Sequence, residues 1–353
     1  MKRFFEFVWP LIGILVVVVS IYLLHREFRG EALGPDIWAE LRSIPPGRFA
    51  MALLATLIAY VALAWYDRIA LLHLGVKHIS WRFIALCSFT TYALAHNIGA
   101  SVFSGAMVRY RAYRTKGLAP AEIAILVGIC SLTFGLGVCL IGGLILVIEP
   151  GQLRRLSGLL PDAVTNPMTA RIIGIVCLGI VGGYGAGAIF KLPPIRLGTL
   201  RVDYPRPGIA LRQFLAAPME IIGAAGIIYF ALPPGGNPGF FAVLAVFVAS
   251  FSMALASNAP GGVGVFELLF IKAMPAVAPV KVLTALLVFR FFYLILPLIF
   301  AIVVVVLFER RKFAEARSQT GETPLETDGK GLGPLGKNDL DGGKSESRKR
   351  AAS

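Results

Sequence analysis

Apolar runs long enough to cross a bilayer are the feature that most constrains how this chain can fold. Of its 353 residues, 57% are hydrophobic and only 15% are charged, and the mean hydropathy is +0.76. A soluble protein would carry roughly 25% charged residues. Because a chain in lipid must satisfy its own backbone hydrogen bonds, long apolar runs predict helices. The sequence therefore predicts an all-α fold, a polytopic helical membrane protein with seven to eight transmembrane helices.

The apolar part of the chain ends near residue 310, and a polar tail follows. Residues 1–310 are predicted to form one integral membrane domain, whose first span, Val8 to Leu24, is not cleaved. A signal peptide is the alternative for that run, but no A-x-A-like site follows it. A second span is predicted from Phe49 to Tyr66, ending at Asp67-Arg68. Residues 311–353 are glycine-rich and mixed in charge, which predicts a disordered tail.

The net charge of +14 predicts how the chain is oriented and not a nucleic-acid partner. Basic residues concentrate in the loops at 109–116 and 191–212, and short basic loops usually remain on the cytoplasmic side. This positive-inside rule places both loops, and the tail after residue 309, on the cytoplasmic side of the membrane. Lysine and arginine in these loops would face anionic headgroups, so membrane phospholipids are the expected partners.

Cysteine and histidine give no sign of a metal or redox centre. All four cysteines lie within apolar runs and form no C-x-x-C pair, so they are predicted to be small buried residues. His96 has no second candidate ligand nearby, and a hydrogen-bonded structural role is favoured over metal binding. No metal and no cofactor is therefore expected.

Two polar interruptions break the apolar runs. The first lies between Phe83 and Phe103 and includes Asn97, and the second, at 254–267, reads ALASNAPGGVGVFE. Proline removes a backbone donor, and each glycine lowers helix propensity by about 1 kcal/mol. Broken backbone at membrane depth needs surrounding protein or a water-filled cavity. We therefore expect two broken or re-entrant segments, each a hairpin of half-helices.

The two interruptions also resemble each other in sequence. Residues 93–97 read ALAHN, and residues 254–258 read ALASN. Paired interruptions in the two halves of a membrane chain are typical of transport sites built from internal repeats. Alanine and leucine are common in this chain, so chance similarity is the alternative. The sense of such a repeat, inverted or parallel, stays open.

Four ionisable residues are predicted to lie at or near membrane depth: Arg109, Glu220, Glu267 and Arg290. A charge there costs at least about 2.5 kcal/mol even on insertion scales, so such groups pair or face a cavity. One interpretation is a polar site for a lipid headgroup or an ion, and the other is a structural Arg–Glu pair that locks helices together. Pro218 beside Glu220 leaves a packing kink as an equal alternative there, and Arg109 has the alternative of belonging to the cytoplasmic basic cluster.

Motifs in both halves carry a resemblance to a known family. The second half contains Pro260-Gly261-Gly262-Val263-Gly264-x-x-Glu267 and Arg290-Phe-Phe-Tyr293-x-x-x-Pro297, and the first contains Asn97…Gly105-x-x-x-Arg109. These motifs are similar to those of the membrane domain of the lysylphosphatidylglycerol synthases/flippases, the multiple peptide resistance factor family. The resemblance covers about residues 5 to 310. The chain departs from the family pattern at Ala106, where an acid usually precedes the arginine.

This resemblance implies a stand-alone lipid translocase in the inner membrane of a bacterium. In fused family members the membrane domain is implicated in moving aminoacylated phosphatidylglycerol between leaflets, while a separate soluble domain makes that lipid. The polar tail is not expected to fold into such a domain, so no enzyme activity is predicted. A membrane-embedded lipid-modifying enzyme is one alternative, although the chain has no H-E-x-x-H or G-x-S-x-G motif. A scaffold that recruits a partner is the other, and assembly into a homo-oligomer stays open.

The resemblance and the embedded charges together define a predicted substrate-binding set for anionic or aminoacylated headgroups. Arg109 and Arg290 would meet the phosphate, and Glu267 would meet a cationic headgroup or an arginine. The glycines after Pro260 would let backbone amides approach the ligand. The complete set is Asn97, Arg109, Glu220, Asn258, Pro260, Gly261, Gly262, Gly264, Glu267 and Arg290.

Overall fold

A computed structural model describes residues 33–98, 101–159, 162–193, 195–197, 200–202, 204–235, 237–257 and 262–321. Within these ranges the chain is helical apart from one two-stranded hairpin, which confirms the all-α polytopic architecture. Among the described residues, five stretches are long and apolar enough to cross a membrane: Pro46–His73, Pro120–Ile148, Pro167–Phe190, Pro207–Ala231 and Pro279–Phe308. The predicted first span, Val8 to Leu24, lies outside the described residues.

The elements follow each other with short connections. In order, the helices are α1 Leu33–Ser43, α2 Pro46–His73, α3 Trp81–Ile98, α4 Ser101–Arg114, α5 Pro120–Ile148, α6 Asp162–Thr165, α7 Pro167–Phe190, α8 Pro207–Ala231, α9 Phe240–Ala256, α10 Val265–Ala273, α11 Pro279–Arg290 and α12 Leu296–Gly321. A 3₁₀ helix, Pro150–Leu156, follows α5, and a π-helical segment, Phe291–Ile295, joins α11 to α12. The antiparallel strands β1 Ile195–Leu197 and β2 Leu200–Val202 precede α8. Helices α2, α5, α7, α8 and α11 begin with proline, whose fixed φ suits the first helical position.

Helices α2 and α8 form the centre of the fold and cross at very short range. A Cβ added at Gly223 of α8 would lie 2.9 Å from the carbonyl oxygen of Ala55 and 3.1 Å from the Cβ of Ala59, both in α2. Small residues at such crossings let helix backbones approach in lipid. Arg48 then joins the ends of the two helices, because its guanidinium donates to the carbonyls of Tyr229, Phe230 and Leu232 at the C-terminal end of α8, at 2.7–2.9 Å. The last carbonyls of a helix have no partner within the helix.

Each polar interruption separates two helices that pack against each other. Helices α3 and α4 flank the first, and a Cβ at Gly105 would lie 3.2 Å from the Cγ2 of Thr91. Helices α9 and α10 flank the second, where a Cβ at Gly262 would lie 3.0 Å from the Cβ of Ala254. Two helix–break–helix segments are therefore present as predicted, and we call them hairpin 1 (α3–α4) and hairpin 2 (α9–α10). Their relation by an internal repeat stays a prediction.

Two element boundaries differ from the sequence-based predictions. Helix α2 does not end at Tyr66 but continues to His73, because the apolar residues after Asp67-Arg68 pack into the core and extend the helix. Helix α12 continues to Gly321, past the predicted start of a disordered tail at 311. The chain divides into the units Met1–Leu307 and Phe308–Ser353, and residues 322–353 lie outside the part that the structure describes.

Candidate functional site

Two glycines with positive φ shape the turn that leads into α10. Gly262 has a φ of +64° and Gly264 a φ of +83°. A residue with a Cβ is strained in this left-handed region, so both positions favour glycine for backbone reasons. Both belong to the predicted substrate-binding set, and in the structure they set the path of the chain before Glu267. Three other predicted residues lie outside the described residues: Asn258, Pro260 and Gly261.

Glu267 uses both oxygens of its carboxylate. Its Oε2 accepts a hydrogen bond of 2.8 Å from the backbone N–H of Gly264, and this bond caps the first turn of α10. Its Oε1 lies 2.6 Å from both Nε and Nη2 of Arg290, in α11. The structure thus brings two predicted site residues together in one ion pair. One carboxylate both closes the turn and holds the guanidinium.

This second-half pair is partly open to the surroundings. The side chains of Arg290 and Glu267 are 16% and 12% exposed, although both stand in apolar sequence. Directly after Arg290 the helix widens into the π-helical segment Phe291–Ile295. Such π segments are rare in proteins, and those that do occur often lie at functional sites. A partly exposed charge beside a helix irregularity, inside a stretch able to span the membrane, makes this pair the candidate site.

Arg109 lies in another ion pair, whose acid the sequence analysis did not find. Its Nη2 is 2.6 Å from Oδ1 of Asp67 in α2, and its Nε is 3.2 Å from both carboxylate oxygens. The hydroxyl of Tyr113 donates to Oδ2 of Asp67 at 2.9 Å, and the Sγ of Cys130 lies 3.5 Å from Oδ1. With side-chain exposures of 5% and 0%, the pair is enclosed. Arg109 therefore does not belong to the surface basic cluster.

The acid that is missing at Ala106 is supplied by a different helix. Asp67 and Arg68 together resemble the charged end of a span, which is why the predicted second span stops there. The available signal was the apolar run after these two charges, at 69–72, which shows that they interrupt the run without ending it. Helix α2 has 28 residues, more than the roughly 20 that a bilayer requires. An acid inside such a long apolar helix should be interpreted as embedded.

Aromatic side chains connect the two ion pairs. The guanidinium of Arg109 lies over the ring of Tyr92, 4.9 Å from its centroid, and the centroid of Tyr92 lies 5.7 Å from that of His96. His96 stacks on Tyr293 with a centroid distance of 5.3 Å and an interplanar angle of 19°. Tyr293 belongs to the π-helical segment that begins directly after Arg290. An aromatic path of side-chain contacts therefore runs from Arg109 to Tyr293, and the backbone of the π-helical segment joins Tyr293 to Arg290.

Glu220 lies beside this path and is only 3% exposed. Its Oε1 accepts a hydrogen bond of 2.7 Å from the hydroxyl of Tyr293. Its Oε2 has no hydrogen-bond partner among the residues that the structure describes, and neither does the nearby hydroxyl of Tyr66. The structure thus keeps Glu220 inside the protein, linked through Tyr293 to the helix that carries Arg290.

An apolar groove of about 540 Å³ lies next to this network. Helices α2 and α3 form two of its walls, and the stretch from Phe292 to Phe300 forms the third. Nearly all its lining is apolar, and Arg82 lies at the end where α3 begins. Tyr60, in the wall from α2, donates a hydrogen bond of 2.9 Å to the carbonyl oxygen of Tyr293. The groove and the polar network therefore share a wall.

The structure thus brings together some residues of the predicted substrate-binding set. Hairpin 2 and α11 bring Glu267 and Arg290 into contact, while Arg109 and Glu220 connect to them through the aromatic path. Asn97 stands near the end of α3, and its side chain lies outside what the structure describes. No cluster of three metal-ligating side chains occurs within the described ranges.

Relatives align with most of the chain. An uncharacterised protein of Synechocystis sp. is 30% identical over 291 residues, which cover 81% of this chain and 87% of the relative. The inner membrane protein YbhN of Escherichia coli is 28% identical over 300 residues, which cover 84% and 89%. No model of a known protein family matches the chain. Together with the apolar helices, this similarity supports an integral membrane protein, and the cytoplasmic position of the tail stays a prediction.

Proposed function

The chain belongs to the same family as the uncharacterised Synechocystis protein, and we propose that it is a lipid translocase of the inner membrane that moves a phospholipid between leaflets. The observation that carries this proposal is the partly exposed Arg290–Glu267 pair, whose arginine lies within a stretch able to span the membrane. Charged groups at such depth are rare, and they mark substrate or ion pathways. The resemblance to the flippase domain of the multiple peptide resistance factor family supports the same activity.

Arg290 is suited to bind the phosphate of a lipid headgroup. A guanidinium presents a planar set of donors that matches phosphate oxygens, and it stays charged in an apolar environment. Glu267 binds Nε and Nη2 of the guanidinium, and these two contacts fix the orientation of the Arg290 side chain. When a phosphate approaches Arg290, the carboxylate would still balance the charge of the guanidinium or meet a cationic group of the headgroup. The pair would thus lower the cost of carrying a polar headgroup through the bilayer.

The apolar groove gives the acyl chains of the same lipid a place beside the polar path. Its walls from α2 and α3 present Leu57 and Leu86, which are among the large exposed apolar side chains. In this proposal the acyl chains stay in the groove and the surrounding lipid, while the headgroup moves past the pair. The shared wall at Tyr60 keeps the two parts of the lipid close together.

The Asp67–Arg109 pair takes a different role in the proposal. Because it is enclosed and its acid is bonded to Tyr113, it would hold α2 and α4 together and would not contact a headgroup. A buried pair that loses one partner leaves an uncompensated charge, which is strongly destabilising. We therefore propose that Arg109 maintains the structure and that Arg290 binds the lipid.

A leaflet-exchange assay tests the proposal. Purified protein would be placed in liposomes that contain fluorescent phospholipids, and bleaching of the outer leaflet would report how fast the inner-leaflet lipid appears outside. We expect faster exchange than in empty liposomes for the wild type, and a loss of that gain in Arg290→Ala and Glu267→Gln. Arg212→Ala is the matched control, because it removes an arginine from an exposed position of α8.

Two results would overturn the proposal. One is wild-type exchange no faster than in empty liposomes. The other is full exchange in both site variants. Accumulation of a chemically modified lipid in the same liposomes would instead favour a membrane-embedded enzyme.

A further inference from the structure

Three carboxylates within the membrane part of the described chain are largely buried, and they differ in what balances their charge. Asp67 has Arg109, and Glu267 has Arg290. Glu220 has no ion-pair partner among the described residues. Its Oε1 accepts one hydrogen bond, from Tyr293, and its Oε2 accepts none from them. An ionised carboxylate that is removed from water without a cation costs several kcal/mol. Glu220 therefore needs a positive charge that no side chain of the described chain supplies.

The groups around Glu220 do not provide that charge. From α2, Tyr60 and Tyr66 are the ionisable groups that interact with it, and from the π-helical segment Tyr293 does so. Helix α9, which packs on α8, contains no ionisable residue. The ionisable residues of the other helices that pack on α8 have other partners or are at least partly exposed: Glu122, Cys130 and Cys139 on α5, Arg171, Cys177 and Tyr184 on α7, and Lys281 and Arg290 on α11. Among the described residues, the ionisable groups that interact with Glu220 are thus the hydroxyls of three tyrosines.

Two unpartnered polar atoms lie beside each other at this point. The Oε2 of Glu220 and the hydroxyl of Tyr66 are both buried and have no hydrogen-bond partner among the described residues, although the two side chains interact. The hydroxyl of Tyr66 can donate to Oε2 when the carboxylate is charged, and it can accept from Oε2 when that oxygen carries a proton. Binding a proton would therefore neutralise the carboxylate and still leave a hydrogen-bond partner for Oε2. A metal ion would require several further oxygen ligands.

We infer that Glu220 is a proton-binding site and that its protonation controls the position of Arg290. This inference rests on the proposed lipid translocation for its role in transport, while proton binding itself does not depend on it. The connection is the hydrogen bond from Tyr293, which the charged carboxylate accepts more strongly than the neutral acid. Tyr293 belongs to the π-helical segment that starts directly after Arg290. Uptake of a proton at Glu220 would loosen this segment, and release would tighten it again.

Infrared difference spectroscopy tests proton binding without any transport. The protein in lipid nanodiscs would be titrated from acidic to alkaline pH, and the carbonyl-stretch band of a protonated carboxylic acid would be followed. We expect a band in the wild type that disappears as pH rises and that Glu220→Gln lacks at every pH. Glu267→Gln and the surface variant Glu149→Gln should keep it. A titrating band that survives Glu220→Gln, or the lack of such a band in the wild type, would overturn the inference.

Tyr293→Phe serves as a second variant in the same titration. It keeps the aromatic ring and removes the hydroxyl that donates to Oε1. We expect the carbonyl band to remain but at a different frequency, because its hydrogen bonding has changed. An unchanged frequency would show that the band does not come from Glu220.

Leaflet exchange then tests the role in transport. We expect the wild-type exchange rate to depend on pH, and the rate of Glu220→Gln to be the same at every pH. A wild-type rate that depends on sodium and not on pH would contradict proton coupling. If the infrared band titrates as expected and no variant exchanges lipid, the proton site stands and the proposed function fails. If exchange is present and no band titrates, the function stands and the proton site fails.

Discussion

The two ion pairs of this protein use the same chemistry in opposite arrangements. In the first half, the second helix of hairpin 1 carries the arginine, Arg109, and the preceding long helix α2 carries the acid, Asp67. In the second half, the second helix of hairpin 2 carries the acid, Glu267, and the following helix α11 carries the arginine, Arg290. Each pair therefore ties one hairpin to one spanning segment.

The two pairs differ in their surroundings. The Asp67–Arg109 pair is enclosed and receives further contacts from Tyr113, Cys130 and Tyr92. Glu267, in contrast, also accepts a hydrogen bond from the backbone N–H of Gly264, and its pair is partly exposed. Enclosure gives a pair structural importance, while partial exposure leaves an arginine able to meet a ligand. The role of a charge at membrane depth therefore depends on the residues that surround it.

The largest effect is expected from breaking the enclosed pair. Arg109→Met should lower the free energy of unfolding by about 3–5 kcal/mol, because the charge of Asp67 is left buried without a partner. Thermal unfolding in detergent measures this loss. The double variant Asp67→Leu/Arg109→Met is the control, and it should be more stable than Arg109→Met alone. A double variant as unstable as the single one would show that the buried charge is not the cause.

A smaller loss is expected at the turn that positions Glu267. Gly264→Ala forces a Cβ into a backbone with a φ of +83°, which should cost about 1–2 kcal/mol. Gly128→Ala is the matched control, since Gly128 lies in α5 with open space around its Cβ position and alanine favours a helix. The midpoint temperature of thermal unfolding should fall in Gly264→Ala and rise in Gly128→Ala. Equal stability of both would contradict the strain at Gly264.

The partly exposed pair should contribute less to stability than the enclosed one. Arg290→Ala should cost about 1.5 kcal/mol, the low end of the range for hydrogen bonds to charged groups, because the remaining carboxylate is 12% exposed and keeps the hydrogen bond from the N–H of Gly264. Thermal unfolding of Arg290→Ala and Arg109→Met under identical conditions compares the two losses of stability directly. If Arg290→Ala were as destabilising as Arg109→Met, the distinction between the two pairs would be lost.

The smallest effect is expected where the groove meets the polar network. Tyr60→Phe removes the hydrogen bond to the carbonyl oxygen of Tyr293 and keeps the ring, at an expected cost of about 0.5–1.5 kcal/mol. Because this bond holds the π-helical segment, amide hydrogen exchange at 291–295 should become faster, while exchange in α5 stays the same. Unchanged exchange at 291–295 would show that Tyr60 does not stabilise the segment.

Much of the fold could be predicted because membrane helices leave a local signal. Long apolar runs identify the spans, and proline and glycine identify the breaks before α4 and α10. The ion pair of Glu267 with Arg290 could also be predicted, since each residue belongs to a recognisable motif. The ion pair of Asp67 with Arg109 could not be predicted, because its partners are 42 positions apart and Asp67 resembles the end of a span. The stacking of His96 on Tyr293 depends on tertiary packing, which no local pattern reports.

The most direct test of the account compares the two pairs in one measurement. Asp67→Leu/Arg109→Met and Glu267→Gln/Arg290→Met each remove a whole pair, and the rate of leaflet exchange is measured per folded molecule in liposomes. We expect the first double variant to exchange lipid at nearly the wild-type rate and the second to exchange it only as fast as empty liposomes do. Loss of exchange in the first variant, with exchange retained in the second, would contradict this expectation.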